Sequence, residues 1–484
     1  MALVSLVVIP LAGAVLLSFV GRSVLWARAV ALTAAVATAC AAGVVWRELA
    51  SSGARLTYEL SVNGGGSFVR LAADGLAVPL VALTALLGII AVLASWDSER
   101  IGMHMALLLG LEAAVMAVFL AADLIVFYVA WEAVLIPMFF LIGGWGHENR
   151  RYAAMKFFVY TFAGSALMLV GLVVLVLNNG GSSSMTASPV PLPSDMQTLV
   201  FWLLAAGFLV KIPVVPLHTW LPDAHVEAPT AGSIMLAGVL LKMGAYGLMR
   251  VCAPYTPEAL GAAAPVVFAL GVVGIVYGAA MALGQRDLKR LVAYSSVAHM
   301  GFVVVGIASG TELGYQGAVL AMVSHGLVAG LLFFCVGALY ERAHTRDLEA
   351  FGGLGRTLPR WATVFVVASL ASLGLPGLSG FPGEFASVVA AFSEFGFVVA
   401  VAGLGVVLAG AYTLRAVRAV VHGQPREASV VATGTPLADL SAREMLVAVA
   451  LVALIVALGI WPRLVTDIAS ATLGALASVA GTVS

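Results

Sequence analysis

The chain has 484 residues, 62% of them hydrophobic and only 10% charged, and its formal net charge is zero. A soluble domain carries about 25% charged residues, so this composition cannot cover a water-facing surface. No basic block or acidic tail is present, which argues against nucleic acid as a partner.

Mean hydropathy is +1.07, and apolar runs recur from end to end, each long enough to cross about 30 Å of hydrocarbon. The period-2 alternation of a membrane barrel is missing. The chain therefore reads as an all-α polytopic membrane protein, whose helices satisfy their own backbone hydrogen bonds in lipid. Met1 to Val20 is apolar without a preceding basic region, so it is expected to be a retained first span and not a cleaved signal.

Spans are predicted at about 3–20, 27–46, 75–96, 102–121, 124–145, 153–177, 198–217, 229–251, 262–283, 288–309, 314–340, 361–393, 396–421 and 444–462. The stretch 361–393 is too long for one straight crossing, and Pro376 and Pro382 divide it into one broken helix. That makes fourteen spans. The segments 51–72, rich in glycine, and 178–196, rich in Gly, Ser and Pro, are expected to be loops. The stretch 341–360 is expected as a connection with a surface helix.

The distribution of Lys and Arg sets orientation. Of the 24, only Arg47, Arg55, Arg70, Arg250 and Arg463 follow even-numbered spans. Lys211 and Lys242 lie inside spans, and the rest, Lys156, Lys289 and Arg426 among them, follow odd-numbered spans. This bias places both termini on the non-cytoplasmic side. The three cysteines, Cys40, Cys252 and Cys335, are scattered through apolar runs with no metal or cluster spacing and read as small packing residues.

Charges inside spans are the candidate functional groups, because each costs roughly 2.5–3.5 kcal/mol at mid-bilayer on insertion scales. Glu112 lies in the fourth span, Glu132 in VAWEAVLIPM, Lys211 just before Pro213, Lys242 deep in the eighth span, and Glu384 in LPGLSGFPGEF. The plainer alternative is that acids and bases neutralise one another and pin helix packing. Five such groups in one chain favour proton chemistry over packing alone. Burial makes a lysine give up its proton more readily and a nearby carboxylate restores it, so a Glu–Lys pair that opens and closes is a proton switch. His299 and His325 fall inside neighbouring spans and His218 follows the Lys211 break. All three add relay capacity near neutral pH, though a satisfied core histidine fits any one of them. His104, His147, His344 and His422 sit near span ends or in loops and read as interfacial.

Prolines interrupt two spans, in KIPVVPLHTWLPDAHVEAP (211–229) and LGLPGLSGFPGEF (373–385). Broken backbone at membrane depth is tolerated where it is buried in protein or lines a wet cavity, and paired interruptions point to an ion pathway in repeat-built transporters. The interrupted spans are the seventh and twelfth, five apart, so repeat units would run in opposite directions. The expected organisation is 1–101 (spans 1–3), 102–251 (first repeat, spans 4–8), 262–421 (second repeat, spans 9–13) and 422–484 (span 14 and tail). Asp123-Leu124 and Asp287-Leu288 open corresponding spans of the two units.

At these residues the chain closely resembles the M-type antiporter-like chains of respiratory complex I, across about residues 100–420. FLVKIPVVPLHTWLPDAHVEAPTAGSIMLAGVLLKMGAYGLMR carries the resemblance most specifically. VAWEAVLIPMFFLIGGWG, RYAAMKFFVYTFAGSALMLVG and LKRLVAYSSVAHMGFV add to it. The resemblance implies fourteen helices, inverted repeats at helices 4–8 and 9–13, and two half-channels joined by a hydrated polar axis. By motif, Glu132 resembles the glutamate that pairs with the broken-helix lysine, here Lys211. Lys242 resembles the connecting lysine and Glu384 the distal residue, with His299 and His325 near the axis and Glu112 in a lesser role.

The resemblance further implies proton translocation as part of an NADH–quinone oxidoreductase in a bacterial inner (plasma) membrane. NADH, FMN, iron–sulfur clusters and quinone would belong to partner subunits, with no cofactor or metal in this chain. The expected partners are the antiporter-like chains L and N, small membrane chains and lipids. The D chain of sodium/proton antiporters and the membrane arm of energy-converting hydrogenases are the nearest rivals, with a non-catalytic scaffold behind them. Glu384, where the sister chains carry lysine, favours the M type. The apolar 464–484 tail has no clear counterpart.

Overall fold

The computed structural model describes residues 1–62, 65–185, 192–424 and 437–481; Arg426 lies outside them. Helices α1 (Ala2–Val20) and α2 (Val24–Ser52) lead into strands β1 (Leu56–Val62) and β2 (Gly65–Ala73). The segment 51–72, expected to be a loop, is therefore mostly a hairpin. Residues such as Thr57, Tyr58 and Val69 favour a pleated strand. Leu56 faces Ala73 and Glu59 faces Arg70 in antiparallel register. The Ala122 N–H donates to the Arg70 carbonyl at 3.0 Å and fastens the hairpin to the bundle.

Then follow α3 (Ala77–Ala94), α4 (Ile101–Leu120), α5 (Leu124–Ala133), α6 (Leu135–Trp145) and α7 (Arg150–Asn178). Asp123 caps α5, its carboxylate accepting from the N–H groups of Ile125 and Val126, which satisfies donors that a helix start leaves free. Helix α8 (Ser194–Lys211) stops at Lys211, the chain through Pro213 and Pro216 is irregular, and α9 (Trp220–Glu227) resumes. The Trp220 Nε1–H donates back across this break to the Val210 carbonyl at 3.0 Å. Next, α10 (Thr230–Met235), α11 (Leu241–Gly247) and α12 (Ala253–Tyr255) make one run, separated by π-helical turns at Leu236–Leu240 and Leu248–Cys252.

The remainder is α13 (Pro257–Leu283), α14 (Leu288–Ala308), α15 (Glu312–Ala343), α16 (Leu354–Thr357), α17 (Pro359–Ser372), α18 (Gly380–Phe395), α19 (Ala400–Val421), α20 (Ala442–Ile460) and α21 (Arg463–Gly481). The surface helix expected in 341–360 is reduced to a single 3-10 turn at Leu348–Ala350 and the four residues of α16. Gly353, at φ +66°, and Pro359 punctuate this stretch, and Leu348, Phe351 and Leu354 tuck it into the core. The tail forms α21, which packs on α12, α13 and α15, and its Thr472 Oγ1 accepts from the Gly75 N–H at 3.0 Å.

By length and composition, twelve helical stretches among the described residues can cross a membrane. The difference from fourteen lies in the two broken segments. The piece ending at Lys211 starts with polar residues, and Gly380–Val421 counts as a single stretch of 42 residues. Burial grades from rim to centre. The most apolar 18-residue window of α15 is 100% buried, against 28% in α1 and α20. Close helix contact at the centre depends on small residues. A Cβ on Gly301 of α14 would stand 2.6 Å from the Gly271 carbonyl oxygen of α13.

Candidate functional site

The π-helical turn at Leu236–Leu240 immediately precedes the turn that carries Lys242. A π turn widens the helix and leaves carbonyls off the regular ladder. Lys242 Nζ donates to one of them, the Ala237 carbonyl, at 2.5 Å. The same ammonium lies 2.7 Å from Nδ1 of His325 on α15. The His325 ring is 5.9 Å, centroid to centroid, from that of His299 on α14. His299 Nδ1 lies 2.6 Å from Oε1 of Glu384, in the first turns of α18. Its Nε2 meets the Ser372 hydroxyl at 3.0 Å and the Tyr412 hydroxyl at 3.4 Å.

Four titratable groups from four helices therefore form one row: Lys242, His325, His299, Glu384. Lys242 is 0% exposed and the two histidines 7% and 9%. Beside the row lies a cavity of about 20 Å³, lined by Ser295, Ser324, Ser372 and the two histidines with Glu384. The serine hydroxyls, imidazoles and carboxylate give this otherwise largely apolar space partners for one water molecule. Lys242 and the two histidines are shielded from solvent, while the Glu384 side chain, 17% exposed, is the end of the row that reaches outward.

Lys211 occupies a different setting. It is 1% exposed at the end of α8, and its Nζ sits over the rings of Trp131 and Phe157, 5.5 Å from each centroid. These cation–π contacts hold the ammonium, which has no hydrogen-bond partner among the described residues. Glu132 acts on it through space without an ion pair within 4.0 Å. The expected Glu132–Lys211 pair is thus open.

Two other expected residues lie off the row. His218, in the broken stretch, stands edge-on to Tyr277 at 5.1 Å. Glu112 of α4 is 1% exposed with both carboxylate oxygens unpartnered among the described residues. It presses on Gly88 of α3, where a Cβ would be 2.6 Å from the carboxylate. His104, read from sequence as interfacial, is instead 1% exposed and meets the Ser95 hydroxyl at 3.1 Å. Cys252 and Cys335 are buried, whereas Cys40 is exposed on α2.

Two buried groups escaped the sequence reading. His225 is 0% exposed on α9, and Lys289, counted as a loop residue, is 4% exposed. Lys289 Nζ donates to the Ala228 carbonyl at 2.5 Å. The signal was available in part: His225 follows His218 by two helical turns in the proline-rich motif, and Lys289 opens an apolar run. Where the helix leads to a loop, His147 has its pKa pushed down to about 4 by burial, with Lys289 and Arg346 adding repulsion. Among the described residues no three His, Cys, Asp or Glu side chains gather to hold a metal.

A helical membrane bundle with broken crossings and a buried row of acid, imidazole and amine groups is an antiporter-like membrane chain. The chain belongs to the NADH:quinone oxidoreductase/Mrp antiporter transmembrane family, whose model matches residues 121–409. It is 43% identical over 417 residues to NADH-quinone oxidoreductase subunit M of Rhodobacter capsulatus, an alignment covering 83% of this chain and 81% of that one. With subunit M of Escherichia coli the identity is 41% over 422 residues, covering 84% and 82%. Among solved structures, a chain of respiratory complex I from Thermus thermophilus superposes with TM-score 0.90 at 28% identity, covering 99% of this chain and 100% of that one. A chain of the Mrp complex from a Dietzia species shares the fold, with TM-score 0.86 at 20% identity, covering 99% of each.

Proposed function

We propose that this chain is the M-type, proton-translocating membrane subunit of an NADH–quinone oxidoreductase, driven by quinone reduction in other subunits. The observation that carries the reading is the row from Lys242 through His325 and His299 to Glu384, with contacts of 2.7 and 2.6 Å at its ends and 5.9 Å between the two imidazole centroids. In this scheme Lys211 loads a proton under the control of its distance from Glu132. The proton passes to Lys242 and along the histidines to Glu384. Tyr412 and Ser372 hold His299 in register, and His218 and Glu112 play supporting parts beside the row. Moving one charge against 100 mV costs about 2.3 kcal/mol, which is less than two pKa units. Opening or closing one ion pair is therefore enough.

The two-repeat organisation, 102–251 and 262–421, belongs to this proposal, with each broken segment counted as a single crossing. A backbone correspondence supports it. Leu124 N–H donates to the Ser183 carbonyl at 2.8 Å, and Leu288 N–H donates to the Arg346 carbonyl at 2.9 Å. Each pairing ties an Asp-Leu helix start to the loop that follows the next long helix. We place the chain in a bacterial inner membrane, both termini outside the cytoplasm, beside antiporter-like L and N chains, small membrane chains and lipids. NADH, FMN, iron–sulfur clusters and quinone are assigned to the partner subunits. The subunit M relatives favour this reading over a sodium/proton antiporter chain or a hydrogenase arm.

The test is proton translocation by membrane vesicles containing the assembled complex. Lys211→Ala or Lys242→Ala is expected to abolish pumping while assembly is retained. Normal proton stoichiometry in both variants would sink the scheme.

A further inference from the structure

Far from the proton row, an open cavity of about 480 Å³ lies where the end of α1 meets the start of α4. It is lined by Ser18, Gly21, Arg22, Ser98, Arg100 and Gly102 among others. At that junction the two chains touch backbone to backbone, since a Cβ on Gly21 would stand 2.9 Å from the Gly102 Cα. The lining holds two guanidinium groups and two serine hydroxyls but no carboxylate. Of the acids nearby, Asp97 is taken by Arg28 and Arg443, and Glu99 does not line the cavity.

The two arginines are held differently. Arg100 is fixed in place, its guanidinium donating to the Gly144 carbonyl at 2.7 Å and lying over the Trp145 ring at 4.4 Å. A guanidinium carries five N–H donors, so this anchoring leaves donors for a ligand. Arg22 is exposed, with neither an ion pair nor a side-chain hydrogen bond among the described residues. The cavity also opens on Ile101 and Met103 in the first turn of α4, where a helix carries partial positive charge. The charge balance calls for an anion with several acceptor oxygens, such as a phosphate. The rim asks for something more. Phe19, Leu25, Trp26 and Met103, next to the two arginines along the chain, are all more than half exposed. Trp26 stands in the first turn of α2, and such aromatic side chains mark the level where membrane meets water. A free phosphate would leave this apolar rim without a partner.

We propose that the cavity seats the phosphate of an anionic glycerophospholipid between Arg22 and Arg100, its acyl chains lying against Phe19 and Met103. Basic pockets between crossings on the cytoplasmic side suit such headgroups, and the orientation proposed above puts the cavity on that side. The proton row plays no part in the inference, so either can fail without the other.

The test uses the assembled complex in lipid nanodiscs. The probes are phosphatidylglycerol and phosphatidylcholine, each with a photoactivatable diazirine at the head of one acyl chain. Labelling of the peptides spanning 17–26 and 98–103 is read by mass spectrometry. Phosphatidylglycerol is expected to label them roughly 10-fold more than phosphatidylcholine, and Arg22→Gln or Arg22→Glu to cut that labelling about 5-fold or more, as loss of one basic group near an anionic lipid implies. Arg22→Lys is expected to retain it. Equal labelling by the two lipids would mean ordinary lipid contact and overturn the proposal. So would full labelling in the Arg22→Glu variant, or failure of the Arg22 variants to assemble. Suppression of labelling by excess glycerol phosphate would make the cavity a site for soluble anions instead. No labelling by either lipid would mean that a neighbouring chain covers it, and the proposal would fall.

Discussion

Single residues in this chain are held by two unlike solutions to burial. Asp74 is one. Burial raises its carboxyl pKa, but the Arg250 guanidinium at 2.5 Å, together with Arg55 and the Ala77 N–H, holds it below the usual carboxylate range. Asp74 Oδ1 also accepts from the Leu76 and Ala77 N–H groups at the start of α3. Asp74→Asn leaves Arg250 buried beside a neutral partner, a change that costs about 3–5 kcal/mol when a buried pair is broken. The expected outcome is a lower thermal midpoint of the purified complex, and an unchanged midpoint would contradict it. Lys242 shows the other solution, since its ammonium is met by a carbonyl and an imidazole and, among the described residues, no carboxylate. Sequence picked out Lys242, Lys211, Glu132 and Glu384 because a charge within an apolar run is conspicuous. It missed His225 because the prolines around it erase the helical period, and Lys289 because a lysine at the start of a span looks like a surface anchor.

Elements are set by where small residues let backbones approach. The contact of α13 with α14 runs through Gly271 and Gly301, and His299 lies two residues from Gly301 on the same helix. Gly301→Ala has no room and is expected to destabilise the complex by about 1–3 kcal/mol, the usual cost of overpacking. Gly261→Ala on the same pair of helices meets nothing within 4 Å and serves as the neutral control in a thermal-shift measurement; equal effects would refute the contact argument. Apolar run length located most spans within a few residues, because a lipid-facing helix must be apolar throughout. Length and composition could not reveal the π-helical turns flanking the Lys242 turn. Residues 236–252 read as ordinary helix, and the first of the two turns packs against α15, a tertiary contact that the sequence of one helix does not display. The β1–β2 hairpin was hidden for a related reason: glycines near its turn masked a short run of strand formers.

At the scale of the molecule, charges tie helices distant in sequence to one another. Asp97 pairs with Arg28 of α2 at 2.9 Å and with Arg443 of α20 at 2.8 Å. Glu444 of α20 is bidentate to Arg342 of α15, at 2.9 and 2.7 Å. The second and last crossings, α2 and α20, are thereby clasped to the same face through Asp97. On our proposal of fourteen crossings, both chain ends emerge on the opposite, non-cytoplasmic side from that clasp's cations. A membrane-impermeant thiol reagent is therefore expected to label cysteines placed at Ala2 and Thr466 in intact cells, after Cys40 is replaced, and labelling of only one of them would require an odd count. The crossing built from α5 and α6 carries a further consequence. Val134 keeps helical dihedrals and donates to the Ala130 carbonyl at 3.2 Å, but Pro137 has no N–H to give the Ala133 carbonyl, next to Glu132, while Asp123 anchors one extremity and the Trp145 indole, donating to the Glu99 carbonyl at 2.6 Å, anchors the other. A beam pinned at both ends and weakened near its middle yields at the flaw, so flexure there would swing the carboxylate toward or away from the amine while the membrane surfaces stay still.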